Sequence, residues 1–105
     1  MTSIPVPTVD VHEALRLHGE GALLLDVREP DEWAEVHVDG ATHLPLGHLD
    51  PADVPSDRLV VAVCRSGNRS GKAAAVLAEA GHHVVNMGGG MIAWTRAGLP
   101  AVAGA

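Results

Sequence analysis

The chain has 105 residues, a formal net charge of −6 at pH 7 and a single cysteine, which favours one globular domain over residues 1–105. One cysteine excludes an internal disulfide framework and a cysteine-rich zinc module. The acidic balance and the presence of only two aromatic side chains, both tryptophan, argue against nucleic-acid binding. The absence of a leader-like start or a membrane-length apolar run predicts a cytoplasmic protein with no membrane partner.

The first half of the chain alternates helical and strand-like segments. A capping box at Asp10 and Glu13 predicts a short helix that ends at Gly19. The apolar run at 22–25 is too short for a helix and is typical of a strand buried on both faces. Pro30 begins another helix, because proline is tolerated in the first turn. Further predicted segments are a short strand at 40–45, a helical turn at 46–50 and a polar loop at 51–57.

The second half continues the same alternation and defines the fold class. Its predicted segments are a β-branched strand at 59–63, a helix at 70–80, a strand at 83–87, a helix at 91–97, and frayed ends at 1–5 and 102–105. Alternating strands and helices predict an α/β domain with a mostly parallel central sheet and helices on both faces. Functional residues of such sheets follow the carboxyl ends of strands. Asp26 and Cys64 both occupy that kind of position.

Positive charge is concentrated near the cysteine. Residues 1–57 contain 12 acids and 2 bases, whereas residues 58–105 contain 1 acid and 5 bases. Three of those bases, Arg65, Arg69 and Lys72, lie close together just after Cys64. The pattern predicts an anion site in a negatively charged protein.

Cys64 lies between a predicted strand and a predicted helix, where several effects favour an anionic sulfur. Backbone N–H groups of a tight turn at a helix N-terminus attract negative charge. Nearby arginines lower the pKa of a cysteine in such a position, so we expect Cys64 to be largely thiolate at neutral pH. Gly67 allows the turn and a close approach of its N–H to a ligand.

The side chains that surround Cys64 in sequence suit a small oxyanion. Arg65 and Arg69 offer guanidinium groups that can bind it. The alternatives are that both are solvated surface charges, or that Arg69 pairs with an acid of the first half. Ser66, Asn68 and Ser70 offer short polar side chains for hydrogen bonds to the loop backbone or a helix cap. Cysteine-dependent phosphatases use a Cys-x5-Arg loop, whereas Cys64 and Arg69 define Cys-x4-Arg. The shorter loop favours a smaller guest, such as one extra sulfur atom.

The sequence resembles the rhodanese-like sulfurtransferase family, and specifically its single-domain rhodaneses. The similarity runs in the family's order through Asp26–Pro30, Glu32–Trp33, His37–Ala41, Leu44–Pro45, Val63–Ser70, Val84–Met87, Gly89–Gly90, Ala93–Trp94 and Ala97–Pro100. It covers about residues 8–102, which the resemblance implies to be the core of the domain. One departure is Val36, where the family usually has glycine. The resemblance implies that Cys64 attacks thiosulfate, keeps its outer sulfur as a persulfide and releases sulfite. Cyanide, a thiol or a sulfur-carrier protein would then accept the sulfur.

The resemblance also implies roles for neighbouring residues and leaves other functions open. The N–H groups of residues 65–69 would hold the persulfide, Arg65 and Arg69 would hold the sulfonate end of the donor, and Asp26 and Arg28 would brace the adjacent loops. No cofactor or metal is implied. The alternatives are a non-catalytic sulfur-relay or interaction module and, from the cysteine loop, a small phosphatase or arsenate reductase. A metal site at His37, His43 and His48 is disfavoured because no regular spacing places them together.

Overall fold

A computed structural model describes residues 5–104, in which four helices surround five strands. The helices are α1 (Val11–Gly19), α2 (Pro30–Glu35), α3 (Asn68–Glu79) and α4 (Gly90–Arg96). The strands are β1 (Thr8–Val9), β2 (Leu23–Asp26), β3 (Thr42–His43), β4 (Val60–Val63) and β5 (Val84–Met87). Two short 3-10 turns, Leu46–His48 and Pro51–Asp53, connect β3 to β4.

The strands form one parallel sheet in the order β1-β5-β4-β2-β3. The central strands β2 and β4 are buried along their whole length, which explains their continuous runs of leucine and valine. In their register Asp26 lies opposite Val63, so the residues that follow the two strands meet at one edge of the sheet. The predicted α/β class is confirmed.

The core occupies both faces of the sheet because successive side chains of a strand point to opposite sides. One face packs against α3, and the other packs against α1 and α4. The first cluster includes Leu23, Leu25, Val60, Ala62, Ala74 and Leu77; the second includes Ala14, Leu24, Val61, Val63, Met91 and Trp94. Burial of each large apolar side chain contributes about 1.5–3 kcal/mol, and these two layers fix the positions of the helix ends around the site.

The structure differs from the sequence expectations in three places. Strand β1 was not predicted; its two residues pair with Asn86 and Met87 of β5. Helix α3 begins at Asn68 rather than at residue 70, because Gly67 takes the left-handed backbone that precedes the helix. The predicted fraying of 102–105 is wrong for 102–104, since Val102 exchanges backbone hydrogen bonds with His37 and the Gly104 N–H donates to Ala34. Residues 1–4 and 105 of the predicted frayed ends lie outside the described residues.

The helices are short. Helix α3 is the longest described, with 12 residues, whereas a helix needs about 20 apolar residues to cross a bilayer. Among residues 5–104 no helix has the length and apolarity of a membrane span.

Candidate active site

Cys64 follows β4 directly and lies beneath the first turn of α3. Its side chain is buried, yet its sulfur faces polar groups of the loop that joins strand and helix. The Gly67 N–H donates to Sγ over 3.0 Å, and the Ser70 hydroxyl lies 3.3 Å from the same atom. The predicted strand-to-helix turn therefore places the sulfur among hydrogen-bond donors, as an anionic sulfur requires.

Opposing effects set the pKa of the Cys64 thiol. Burial raises it, because a thiolate loses solvation away from water. Hydrogen bonds from the Ser70 hydroxyl and from the N–H groups of Ser70, Gly67 and Ser66 lower it, and together they leave the pKa below its ordinary value. The structure thus favours the thiolate, which is the nucleophilic form of cysteine.

Two glycines shape the loop around the sulfur. Gly67 has φ +108°, a left-handed conformation that directs its N–H towards Cys64. Gly90 has φ +57°, and a Cβ there would lie 2.3 Å from the Arg65 carbonyl oxygen. This close approach lets the N–H groups of Met91 and Ile92 bind the carbonyls of Cys64 and Arg65 over 2.8 and 3.0 Å. The first turn of α4 therefore fixes the loop backbone, a contribution that the loop sequence alone does not predict.

The two loop arginines differ in their surroundings. Arg69 donates from both terminal nitrogens to the carboxylate of Glu32 on α2, over 2.6 and 2.8 Å, which is the pairing alternative that the sequence left open. This hydrogen-bonded pair lowers the pKa of Glu32 to about 2 and raises the pKa of Arg69. Arg65 is exposed and makes no ion pair within residues 5–104. Arg65 is therefore the loop guanidinium that is available to an anion.

Asp26 and Arg28 form a second ion pair, at the end of β2. The carboxylate accepts from the Arg28 guanidinium over 2.8 to 3.1 Å and from the Arg28 backbone N–H over 3.0 Å. Both side chains are at least 96% buried. Arg28 also donates to the Val36 carbonyl over 2.6 Å and so joins β2 to the end of α2. Val36 has φ −162°, extended backbone that any residue adopts, so the valine in place of glycine introduces no strain.

An open cleft of about 270 Å³ lies beside the loop, between α2 and α4. Its lining combines charged and apolar side chains, namely Arg28, Glu32, Glu35, Val36, Arg65, Met91, Ile92 and Thr95. Arg65, the residue after Cys64, lines the cleft, so the cleft lies next to the loop that holds the sulfur. The cleft is large enough for a small anion or for an extended segment of a partner.

The remaining loop residues and histidines are also located by the structure. Ser66 and Asn68 have exposed side chains. His37 and His43 both stack on Trp33, with ring centroids 3.7 and 4.7 Å from the indole. Within residues 5–104 no three histidine, cysteine or carboxylate side chains are grouped as a metal site.

The structure gives Ser70 other partners than the loop backbone or helix cap that the sequence predicts, and it adds Asn86 to the site. Ser70 is fully buried and its hydroxyl contacts both the sulfur and the Asn86 carboxamide. Asn86 lies on β5 and its side-chain N–H donates to the Gly67 carbonyl over 3.1 Å. Only the pairing of β4 with β5 brings Asn86 to the loop, so no local sequence signal marks it.

A buried cysteine sulfur among N–H donors, at the carboxyl end of a parallel sheet, defines an α/β protein with a cysteine loop suited to negative charge. Comparison with known proteins identifies the class further. The family model of the rhodanese-like domain matches residues 10–97. The chain therefore belongs to the rhodanese-like domain family.

Individual relatives agree with this assignment. A protein of Allochromatium vinosum named sulfurtransferase is 48% identical over 88 residues, which cover 80% of this chain and 81% of that protein. The thiosulfate sulfurtransferase GlpE of Pseudomonas entomophila is 37% identical over 91 residues, with 82% of each chain covered. The crystal structure of a rhodanese-related protein from Thermoplasma volcanium superposes with a TM-score of 0.86 at 26% identity, over 91% of this chain and 97% of that one.

Proposed function

We propose that the protein is a thiosulfate sulfurtransferase that works through a persulfide on Cys64. The observation that carries the proposal is the Cys64 sulfur itself, which accepts the Gly67 N–H over 3.0 Å and lies 3.3 Å from the Ser70 hydroxyl. These donors stabilise a negatively charged sulfur, and a thiolate stabilised in this way attacks without a separate general base. They also stabilise charge as it moves on and off the sulfur.

The reaction takes place in two half-reactions. The Cys64 thiolate attacks the outer sulfur of thiosulfate; the new S–S bond forms as the bond to the sulfonate sulfur breaks, and its electron pair leaves with sulfite. A thiophilic acceptor then attacks the outer sulfur of the persulfide, and the electron pair of that S–S bond returns to Cys64 as thiolate. The 105 residues contain no second cysteine, so the persulfide cannot form an internal disulfide and must transfer its sulfur to another molecule.

Arg65 is the side chain that we assign to the sulfonate end of the donor. It is exposed at the edge of the cleft, whereas Arg69 is engaged by Glu32. A guanidinium group can form two charge-assisted hydrogen bonds with a sulfonate. Arg69 instead joins α2 to α3, and Asp26 with Arg28 braces the neighbouring loop.

The acceptor approaches through the same cleft, because its walls are formed by α2 and α4 beside the loop. A low-molecular-weight thiol or the tail of a sulfur-carrier protein fits this open space. One cysteine with a reactive thiolate suits a reducing compartment, so we place the reaction in the cytoplasm.

The test is product formation from thiosulfate and cyanide. The native protein should form thiocyanate and sulfite in equal amounts, and Cys64→Ser should form neither, while Ser56→Ala, a change in the loop before β4, should behave as native. Transfer to a thiol or carrier without cyanide turnover would support the relay alternative. Cys64-dependent hydrolysis of an aryl phosphate without sulfur transfer would instead support a phosphatase.

A further inference from the structure

The hydroxyl group of Ser70 lies between two acceptors. Its oxygen is 3.3 Å from the Cys64 sulfur and 2.5 Å from the carboxamide oxygen of Asn86. Ser70 is fully buried, so solvent does not compete for these contacts. A serine hydroxyl has a single proton and can donate to only one of the two acceptors at a time.

The orientation of the Asn86 carboxamide is fixed by its other contact. Its N–H donates to the Gly67 carbonyl over 3.1 Å. The reverse orientation would place two oxygens, one of Asn86 and one of Gly67, against each other, so the hydrogen-bond network determines which atom faces Ser70. In this orientation Asn86 can accept from Ser70 and cannot donate to it. Asn86 therefore competes with the sulfur for the Ser70 proton.

We propose that the Ser70 hydroxyl is a two-position donor that turns between Cys64 and Asn86 as the sulfur changes charge, with Asn86 as the positioning residue for the second state. This inference rests on the proposed function, since the charge change is that of the persulfide cycle. When Cys64 is a thiolate, its charge attracts the proton of Ser70. When Cys64 carries the extra sulfur, the negative charge lies on the outer atom and Sγ becomes a weak acceptor.

The cycle then requires only rotation of the hydroxyl. On sulfur loading, Sγ uses its electron pair to form the S–S bond, and Ser70 turns to Asn86. On discharge, the pair of the S–S bond returns to Sγ, and Ser70 turns back to the new thiolate. No proton leaves Ser70 in either step. Ser70 is thus a catalytic residue that contacts the reacting sulfur, and Asn86 acts through it.

Other charges around the sulfur do not duplicate this contact. Arg69 of α3 interacts with the charge of Cys64 but is paired with Glu32 of α2. Asp26 and Arg28 are paired with each other at the end of β2. The exposed charges nearest in sequence are those of Arg65 and Lys72. Among the side chains of residues 5–104, that of Ser70 is the one that donates a hydrogen bond to this sulfur.

The resting state is tested by titration of the thiol. The rate of alkylation by iodoacetamide is measured against pH after reduction; because the chain has one cysteine, the whole signal is that of Cys64. Ser70→Ala should shift the midpoint of the rate–pH curve to higher pH and slow alkylation about tenfold at pH values below the midpoint. This is the effect expected when a charged group loses one hydrogen bond. Ser56→Ala is the matched control and should leave the curve unchanged. An unchanged curve in Ser70→Ala would overturn the proposal.

The competition is tested at Asn86 itself. Asn86→Asp places a stronger acceptor beside Ser70 and should raise the midpoint, whereas Asn86→Ala removes the competitor and should lower it. In a Ser70→Ala background the Asn86→Asp shift should fall to less than half, because the shared proton is gone. An equal shift in both backgrounds, or a raised midpoint in Asn86→Ala with an unchanged thermal unfolding midpoint, would refute the competition.

The persulfide state is tested by measuring how fast the loaded protein transfers its sulfur. Protein loaded with sulfur from thiosulfate is mixed with cyanide, and Ser70→Ala should release its sulfur several-fold more slowly, because the departing thiolate lacks its donor. An unchanged discharge rate would contradict the role in this state. Failure of the native protein to load sulfur would refute the proposed function instead, and the alkylation experiments, which need no sulfur transfer, distinguish the two failures.

Discussion

The ion pair between Glu32 and Arg69 makes a prediction whose size and pH dependence follow from the structure. Two hydrogen bonds of 2.6 and 2.8 Å join α2 to α3 through these side chains. Hydrogen bonding to Arg69 lowers the pKa of Glu32 from 4.5 to about 2, a difference equivalent to about 3 kcal/mol. Because the side chains of Arg69 and Glu32 are 34% and 24% exposed, solvent screening reduces the expected contribution to about 1–2 kcal/mol.

The sign of the pH effect is determined by the lowered pKa. The stabilisation is fully present above the ordinary pKa of 4.5 and is lost as pH falls through that value towards 2. Glu32→Gln keeps the size of the side chain and removes its charge. The free energy of unfolding, measured with urea, should therefore be lower in Glu32→Gln by about 1–2 kcal/mol near neutral pH, and the two proteins should converge in acid.

The control for this measurement is Glu35→Gln. Glu35 is on the same helix and exposed, and makes no ion pair within the part of the chain that the structure describes. Glu35→Gln should change the free energy of unfolding by less than about 0.5 kcal/mol. A difference between native protein and Glu32→Gln that stays constant down to acid pH, or an equal loss in Glu35→Gln, would refute the reasoning.

Three further predictions concern the loop and its supports. Asp26→Ala leaves a buried arginine unpaired and should lower the free energy of unfolding by about 3–5 kcal/mol; a loss below about 1 kcal/mol in urea unfolding would contradict this. Gly90→Ala forces a methyl group against the Arg65 carbonyl at φ +57° and should lower the free energy of unfolding by about 2–4 kcal/mol. Gly47→Ala is the control, since a Cβ there meets no atom within 4 Å, and it should leave the thermal unfolding midpoint nearly unchanged. Arg65→Met should raise the KM for thiosulfate about tenfold, because the sulfonate loses its guanidinium partner. Arg58→Met, a change before β4, should leave the KM unchanged. An equal rise of KM in both variants would mean that only the net charge of the protein matters, and would contradict the assignment.

Local sequence signals predict where Cys64 lies in the fold. A run of β-branched residues precedes Cys64, and a run of residues with high helix propensity follows Gly67. Together they predict a strand-to-helix turn at the cysteine, which the structure confirms. This arrangement depends on neighbours in the chain, whose propensities are visible in the sequence. The bracing role of Asp26 and Arg28 is instead implied by the resemblance, and the structure pairs the two side chains with each other.

Features that depend on distant residues were not predictable in this way. Glu32 and Arg69 are 37 residues apart, and the sequence contains many other acids that could have been the partner. Asn86 reaches the loop only through the pairing of β4 with β5. Strand β1 has two residues and is stabilised by its pairing with β5 rather than by its own propensity. The attachment of Val102 to His37 is likewise a tertiary contact.

The central claim, that Cys64 carries a persulfide, is tested most directly by the intact mass of the protein after treatment with thiosulfate. The native protein should gain the mass of one sulfur atom and lose it again on addition of cyanide, and Cys64→Ser should gain nothing. A native protein with a free thiol at Cys64 that never acquires the sulfur would contradict the account.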